Sequence, residues 1–321
     1  MSQGLKNRSV LVTGAAGCIG AWVVKLLGEM DAKPVVYDVA ENRSRLHLIM
    51  DNADDIVWEL GDITDYDRLT EVINTHEIDA IIHLAALQVP FCKADPIGSV
   101  KVNVVGSTHI LEAARQAGIK RLTYASSVAA PAMGDNEYLA TLYGAHKICG
   151  EQMAAVYWQD WQLPSIGIRP GVIYGPGRDQ GMSASPTIAM LAAAENKPYT
   201  IPFTGPVSFV HVEDAAQRFI AAIAQDGEGA PVFDMNGTPE TVETVLDIVK
   251  AKTRSNAKIE YAGAPLPFPA IKDDGGLDRL VGAAPYRSME DGIQHTLNGF
   301  KAAKNRGIDI SALATRLTES A

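Results

Sequence analysis

The chain has 321 residues, of which 47% are hydrophobic and 21% are charged. This composition is that of a globular protein and excludes a disordered, collagenous or coiled-coil chain. The length suggests two domains, or one large domain with an appended lobe. Lys and Arg number 28 and Asp and Glu 38, and the resulting net charge of −10 argues against nucleic acid or an anionic membrane as a general partner.

The three cysteines, Cys18, Cys92 and Cys149, are widely spaced and form no CxxC motif. This usage favours a reducing compartment, and we expect the cytoplasm. No apolar run approaches the ~18 residues that a membrane span requires. The N-terminal stretch VLVTGAAGCIGAWVV superficially resembles a signal peptide, but its three spaced glycines favour a turn between a strand and a helix.

Short β-rich segments alternate with helical patterns in the first half of the chain, which predicts a doubly wound parallel α/β sheet. Strands are predicted over 9–14, 34–39, 55–60, 79–86, 121–127 and 164–175, and helices near 19–30, 65–76, 98–117 and 142–158. Later helices are predicted near 183–195, 213–225, 240–253 and 289–304. We assign 1–175 and 207–236 to the sheet domain. Residues 176–206 and 237–321 are assigned to a smaller, mostly helical substrate lobe over the carboxyl edge of the sheet.

The first predicted strand runs into TGAAGCIG, which places three glycines at the turn into the first helix. The tight turn needs Gly14, Gly17 lets the backbone approach a pyrophosphate, and Gly20 lets the helix pack on the strand. The helix N-terminus, with Cys18 and Ile19, offers unpaired N–H groups to phosphates. The segment therefore predicts a dinucleotide-binding site.

Asp38 ends the second predicted strand, where a carboxylate accepts hydrogen bonds from the adenosine ribose and repels a 2′-phosphate. NAD is therefore favoured over NADP, although the nearby Arg43 weakens that preference, and Asp38 could instead be a simple turn residue. Further cofactor contacts are predicted on the same edge: Asp62 and Ile63 at the adenine, Leu84, Ala85 and Ala86 along the cofactor backbone, and Asn103 in the following helix. Asn103 could equally be a locally bonded polar residue.

The segment YGAHK places Tyr143 and Lys147 one helical turn apart on the same face. A nearby ammonium lowers the pKa of a phenol, so Tyr143 could exchange a proton with a substrate hydroxyl, while Lys147 could hold the nicotinamide ribose. A YxxxK match alone is common. It gains weight here because the preceding strand ends in Ser126 and Ser127, whose hydroxyls could bind the same substrate oxygen.

The motifs TGAAGCIG, GDITD, HLAA, YASS, YGAHK, RPGVIYGPG and SFVHVEDAA follow one another in this order. With them the chain resembles the extended short-chain dehydrogenase/reductases, the NAD-dependent epimerase/dehydratase family. The resemblance implies a Rossmann-type fold, NAD as cofactor, and a homodimer paired through the helices near 98–117 and 142–158. It makes Ser127 the catalytic serine and maps the family's RP segment to Arg169 and Pro170. The backbone of this segment, through Val172 and Ile173, is expected at the nicotinamide carboxamide, with Pro170 and Val172 among the cofactor-binding residues.

Several positions depart from the family pattern. Val128 and Ala129 replace the Asp-Glu pair of the dehydratases, which removes the acid for eliminating water. Val207 replaces the arginine with which nucleotide-sugar enzymes grip a diphosphate, which favours a smaller substrate without a nucleotide. The loop between Ser127 and Tyr143 is short for this family. No His, Cys or Asp cluster has metal-ligand spacing, so no metal is predicted.

Candidate substrate residues are Gln88, Arg178 and Ser183, together with Ser127 and Tyr143. The sequence favours an NAD-dependent oxidoreductase that interconverts a secondary alcohol and a ketone on a sugar, sugar acid or similar polyol. The alternative is a sugar or nucleotide-sugar epimerase with tightly retained NAD. A remote alternative is a non-catalytic NAD-binding regulator, which would have no need of both Tyr143 and Lys147.

Overall fold

The computed structural model describes residues 4–131, 140–181, 183–225, 227–237, 239–268, 270, 273 and 275–310. Within them the strands are β1 (Ser9–Thr13), β2 (Lys33–Asp38), β3 (Val57–Leu60), β4 (Ala80–His83), β5 (Leu122–Ala125), β6 (Ile166–Pro170), β7 (Val172–Tyr174), β8 (Tyr199–Ile201), β9 (Pro206–His211), β10 (Val232–Met235), β11 (Pro239–Thr241) and β12 (Ile259–Tyr261). The helices are α1 (Cys18–Glu29), α2 (Ser44–Ile49), α3 (Tyr66–Thr75), α4 (Val89–Ala94), α5 (Pro96–Val100), α6 (Gly106–Gln116), α7 (Leu142–Trp161), α8 (Ser185–Ala194), α9 (Val212–Ile223), α10 (Val242–Thr253), α11 (Gly276–Val281) and α12 (Met289–Asn305).

The main sheet has seven parallel strands in the order β3–β2–β1–β4–β5–β6–β10. Successive side chains of a strand point to opposite faces. Accordingly, Val10 and Val12 of β1 pack in the core under α1 and α9, whereas Leu11 packs in the core under α3, α6 and α7. The predicted Rossmann-type architecture is confirmed. The strand order reverses between β1 and β4, which opens a crevice at the carboxyl edge.

A second core joins α8, α10 and α12 to two small sheets. One sheet has the order β11–β9–β7, and the other pairs β12 with β8. The second lobe is thus partly β-structured, because β7 follows Gly171 and pairs with β9 instead of with the main sheet. Within the predicted return segment 207–236, β10 pairs with β6 of the main sheet and α9 packs against that sheet. In contrast, β9 pairs with β7 in the smaller sheet.

The assignment of 237–321 to the lobe needs one correction. Leu277 and Val281 of α11 are buried in the core beneath α1 and α9, so this helix packs with the sheet domain. Arg218 of α9 holds it there through a bidentate ion pair with Asp278, at 2.7 and 2.8 Å. Among the described helices none combines the length and apolar character of a membrane span.

Candidate active site

A cavity of about 600 Å³ lies at the carboxyl edge of the main sheet. It is lined by most of the residues predicted to bind cofactor or substrate: Gly14, Gly17, Cys18, Ile19, Gly20, Asp38, Asp62, Ile63, Leu84, Ala85, Ala86, Gln88, Ser127, Tyr143, Lys147, Pro170, Val172, Arg178 and Ser183. Arg43 and Asn103 do not line it. The fold therefore brings the candidate cofactor and catalytic residues to one site.

The glycine loop fits a dinucleotide phosphate. Gly14 has φ +69°, and a Cβ on it would lie 2.6 Å from the backbone nitrogen of Ala85. A Cβ on Gly20 would lie 2.6 Å from the Cα of Ala15, so helix and strand are in close contact there. α1 starts directly after Gly17, whose position carries no side chain to cap the helix. The first N–H groups of α1 therefore remain for an anion.

Asp38 lies at the end of β2 and faces the cavity. Its Oδ2 accepts a hydrogen bond from the backbone nitrogen of Ala16 at 3.0 Å, which ties the carboxylate to the glycine loop. Burial raises its pKa, while backbone hydrogen bonds from Ala16, Val39 and Ala40 and the charge of Arg45 oppose that rise. A carboxylate so held is placed to accept ribose hydroxyls.

Arg43 was expected near the cofactor beside Asp38, and the structure shows that this prediction is wrong. The guanidinium of Arg43 donates to the carbonyls of Ala53 and Ile56, at 2.6 and 3.0 Å, and stacks on Trp58, so it faces away from the cavity.

Arg45 faces the cavity instead. Its Nε donates to the carbonyl of Gly177 at 3.1 Å, and its Nη2 pairs with Asp179 at 2.5 Å. Both arginines belong to the short segment around α2, which the sequence pattern did not reveal, so their directions could not be predicted.

Tyr143 and Ser127 meet because the start of α7 lies against the loop after β5. Thr141 caps the helix by accepting the N–H of Gly144 at 3.0 Å. A Cβ on Gly144 would lie 2.4 Å from the carbonyl oxygen of Ala129, so glycine permits this close approach. The Ser127 hydroxyl thereby comes close enough to the Tyr143 phenol to lower its pKa, and both side chains line the cavity. Most of the short loop between the two residues lies outside the described part of the chain.

Lys147 was expected to lower the pKa of Tyr143, and this part of its predicted role is wrong. Its Nζ lies 5.4 Å from the centre of the Tyr143 ring and donates to the carbonyl of Ala125 at 2.6 Å. Burial raises the pKa of Tyr143, while the Ser127 hydrogen bond and the charge of Arg178 oppose that rise. Burial also lowers the pKa of Lys147 to about 8. The cation that favours the phenolate is thus Arg178.

Asn103 braces the loop after β4. It lies in a π-helical turn, Lys101–Val105, between α5 and α6. Its side chain accepts the N–H of Leu87 at 2.8 Å and donates to the Leu87 carbonyl at 2.9 Å. With His83 and His146 it also lines a small cavity beside Lys147. Burial lowers the pKa of His83 to about 3, so this histidine is neutral.

The substrate side of the cavity is polar. A Cβ on Gly181 would lie 2.4 Å from Oε1 of Gln88 and 3.3 Å from Nη2 of Arg178, so these two side chains are neighbours. Nη2 of Arg178 donates to the Ser183 hydroxyl at 3.2 Å. Phe268 of the lobe adds an apolar wall, which the sequence analysis did not identify.

Arg169 of the RPGVIYGPG segment and Val207 both make structural contacts. Arg169 forms a bidentate ion pair with the buried Glu151, at 2.8 and 2.6 Å, which ties β6 to α7. Val207 is 3% exposed and packs in the lobe core with Phe209. An apolar side chain therefore fills the position where the family resemblance places a diphosphate-binding arginine.

One group of potential metal ligands was missed because spacing along the chain does not reveal it. His211, Glu213 and His295 offer atoms within 4.8 Å of one another. Nδ1 of His211, however, accepts the N–H of Glu213, and the Glu213 carboxylate pairs with Arg287 at 3.0 Å. A cation held by the Glu213 carboxylate would compete with Arg287, and we assign no metal to this cluster.

The sequence model of the family described as NAD dependent epimerase/dehydratase matches residues 10–236. The chain belongs to this family. It is 31% identical over 234 residues to a UDP-glucose 4-epimerase of Mycolicibacterium smegmatis, covering 68% of this chain and 74% of the relative. NAD is the family's cofactor, as the glycine loop and Asp38 predicted.

Solved structures of this architecture include both epimerases and dehydrogenases. A UDP-glucose 4-epimerase of Thermotoga maritima, solved with UDP-glucose, superimposes with a TM-score of 0.79 at 22% identity, covering 92% of this chain and 99% of that one. An L-threonine dehydrogenase of Clostridium difficile has a TM-score of 0.79 at 20% identity, covering 95% and 100%. At these identities the likeness concerns the fold, and family membership supports an NAD-dependent enzyme.

Proposed function

We propose that this chain is an NAD-dependent oxidoreductase that interconverts a secondary alcohol and a ketone on a sugar, a sugar acid or a similar polyol. One observation carries the proposal: Tyr143, Ser127 and Lys147 line the same cavity as the glycine loop and Asp38. The glycine loop at Gly17 would hold the phosphates of a dinucleotide, and Tyr143 would meet a substrate hydroxyl in the same cavity.

In the oxidation direction, the ionised Tyr143 takes the proton of the substrate hydroxyl as the carbinol hydrogen leaves with its electron pair. The Ser127 hydroxyl donates to the same oxygen, and Lys147, fixed on the Ala125 carbonyl, holds a ribose hydroxyl. When bound, NAD would supply the hydride acceptor and, in its oxidised form, a positive charge within this cavity. That charge opposes the effect of burial on the Tyr143 pKa.

The second candidate is a sugar or nucleotide-sugar epimerase that retains NAD and returns the hydride to the other face of the ketone. The relative named UDP-glucose 4-epimerase favours it. The buried Val207 argues against a nucleotide sugar, because the position offers no charge to a diphosphate.

We also propose that the chain forms a homodimer in the cytoplasm. The π-helical turn and α7 expose apolar side chains: Val105 is 39% exposed, Val156 47% and Trp161 49%. Contact between two copies through these helices would remove this surface from water. The widely spaced, unpaired cysteines support a reducing compartment.

The Tyr143→Phe variant tests the proposed function. Without the phenol oxygen, reduction of added NAD⁺ with a panel of sugars, sugar acids and polyols should fall by ~10²- to 10⁴-fold. NAD binding, followed by fluorescence titration, should change less than about twofold. Tyr157→Phe is the matched control, because Tyr157 lies on the same helix outside the cavity and bonds Glu112. Unchanged turnover in Tyr143→Phe would contradict the proposal, and unchanged biological activity would favour a non-catalytic regulator.

A further inference from the structure

Within the part of the chain that the structure describes, the guanidinium of Arg178 has no carboxylate partner. Its Nε is inaccessible to solvent and has no hydrogen-bond partner, and within the described residues no salt bridge involves this side chain. Its side chain donates one hydrogen bond, from Nη2 to Ser183. Arg45, in the wall of the same cavity, is paired with Asp179. A desolvated, unpaired cation is costly to keep, so its presence points to a ligand that supplies the anion.

An anion bound at Arg178 would lie close to Tyr143, the residue proposed to exchange a proton with the substrate. Arg178 and Tyr143 line the same cavity, and the charge of Arg178 lowers the pKa of Tyr143. Gln88 and Ser183 lie beside the guanidinium and continue the polar wall. An anionic group bound there lies near a hydroxyl held by Tyr143 and Ser127, so acid and alcohol belong to one small molecule.

The chemistry favours a carboxylate. A planar guanidinium binds a carboxylate through two parallel hydrogen bonds. A nucleotide diphosphate carries more negative charge and would need further cations. The position where the family resemblance places a diphosphate-binding arginine holds the apolar Val207, which is buried in the lobe core. The main competitor is the cofactor's own diphosphate, because Arg178 also lies within electrostatic reach of Cys18 in the glycine loop.

We propose that the substrate is a small hydroxy acid whose carboxylate binds Arg178, beside Gln88 and Ser183, while its secondary hydroxyl lies at Tyr143. This inference rests on the proposed oxidoreductase function. The oxidation transfers the carbinol hydride to NAD⁺ and the hydroxyl proton to Tyr143, yielding the keto acid and NADH. The carboxylate itself is not changed.

The first experiment compares matched substrates. Aldonates and uronates of four to six carbons are assayed for NADH formation alongside the corresponding polyols and the amides of the same acids. The acids should be oxidised with kcat/KM at least ~10-fold above their neutral partners, the smallest effect expected of a charge-assisted hydrogen bond. Equal oxidation of an acid and its amide would overturn the proposal.

The second experiment changes the guanidinium. Arg178→Gln should raise KM for the best acid by ~10- to 100-fold, and Arg178→Lys should restore part of the affinity. Because Arg178 also lowers the pKa of Tyr143, kcat at neutral pH should fall by a smaller factor, and raising the pH should recover it. NAD binding should change less than about twofold, and thermal stability should not fall, because an unpaired cation is removed. Arg8→Gln, outside the cavity, is the control. Loss of NAD affinity in Arg178→Gln would assign the guanidinium to the cofactor diphosphate, and loss of stability would assign it a structural role.

Direct binding separates this inference from the proposed function. Calorimetry measures binding of the acids to the NADH-loaded protein without any turnover. If an acid binds the parent protein, does not bind Arg178→Gln, and yields no NADH in the assay, the acid site stands and the oxidoreductase function is rejected. Turnover of an acid that Arg178→Gln leaves intact would sustain the oxidoreductase and reject the acid site.

Discussion

At the scale of single residues, Asp38 should determine which nicotinamide cofactor binds. Its carboxylate accepts the N–H of Ala16 and faces the cavity, where it would bond ribose hydroxyls and repel a 2′-phosphate. Asp38→Asn should therefore weaken NAD binding by ~10-fold and narrow the preference over NADP, since Arg45 remains nearby. Fluorescence titration with both cofactors measures this.

The control for this change is Asp65→Asn, because Asp65 caps α3 outside the cavity and should leave both affinities unchanged. Equal binding of NAD and NADP by the unaltered protein would contradict the role given to Asp38.

The residue scale also marks the limit of prediction from sequence. Gly14, Gly17, Asp38, Tyr143 and Lys147 were predictable because each occupies a fixed place relative to a strand end or a helical turn. The direction in which a long, flexible side chain points is not fixed by its place in the sequence pattern. Two arginines two positions apart, one stacked on a tryptophan and one in the cavity, therefore could not be told apart.

At the scale of elements, long periodic segments were predictable, and α7 and α12 were found close to their observed bounds. The short elements α2, α4, β8 and β12 were missed, because segments of three to six residues are defined by their tertiary neighbours rather than by periodicity. The π-helical turn Lys101–Val105 was predicted as part of a plain helix, because its apolar spacing does not distinguish the two.

The exposed apolar face of α7 leads to a prediction at this scale. Val156→Asp should convert a dimer to monomers, because it would bury an unpaired carboxylate in the interface. The monomer should keep its unfolding temperature within a few degrees, since the site is a surface position. Sedimentation velocity measures the change.

Leu280→Asp, at a similarly exposed position of α11, is the control for Val156→Asp and should leave the dimer intact. A monomeric parent protein at micromolar concentration would contradict the homodimer.

At the scale of the whole molecule, the arrangement follows from two cores that meet at the carboxyl edge of the parallel sheet. The reversal of strand order between β1 and β4 places the cofactor residues on one side of the cavity, and the lobe closes the other side with Phe268. The sheet was predictable from alternating strand and helix patterns. The packing of α11 on the sheet domain was not, because it depends on a contact between Arg218 and Asp278, far apart in sequence.

The distinction between a dehydrogenase and an epimerase concerns the whole molecule, because it depends on whether NAD leaves after each turnover. The decisive measurement denatures the purified protein and quantifies the released NAD and NADH by chromatography. We predict well under one equivalent per chain, because the proposed reaction requires the cofactor to exchange. Close to one equivalent, retained through gel filtration, would contradict the dehydrogenase and favour the epimerase.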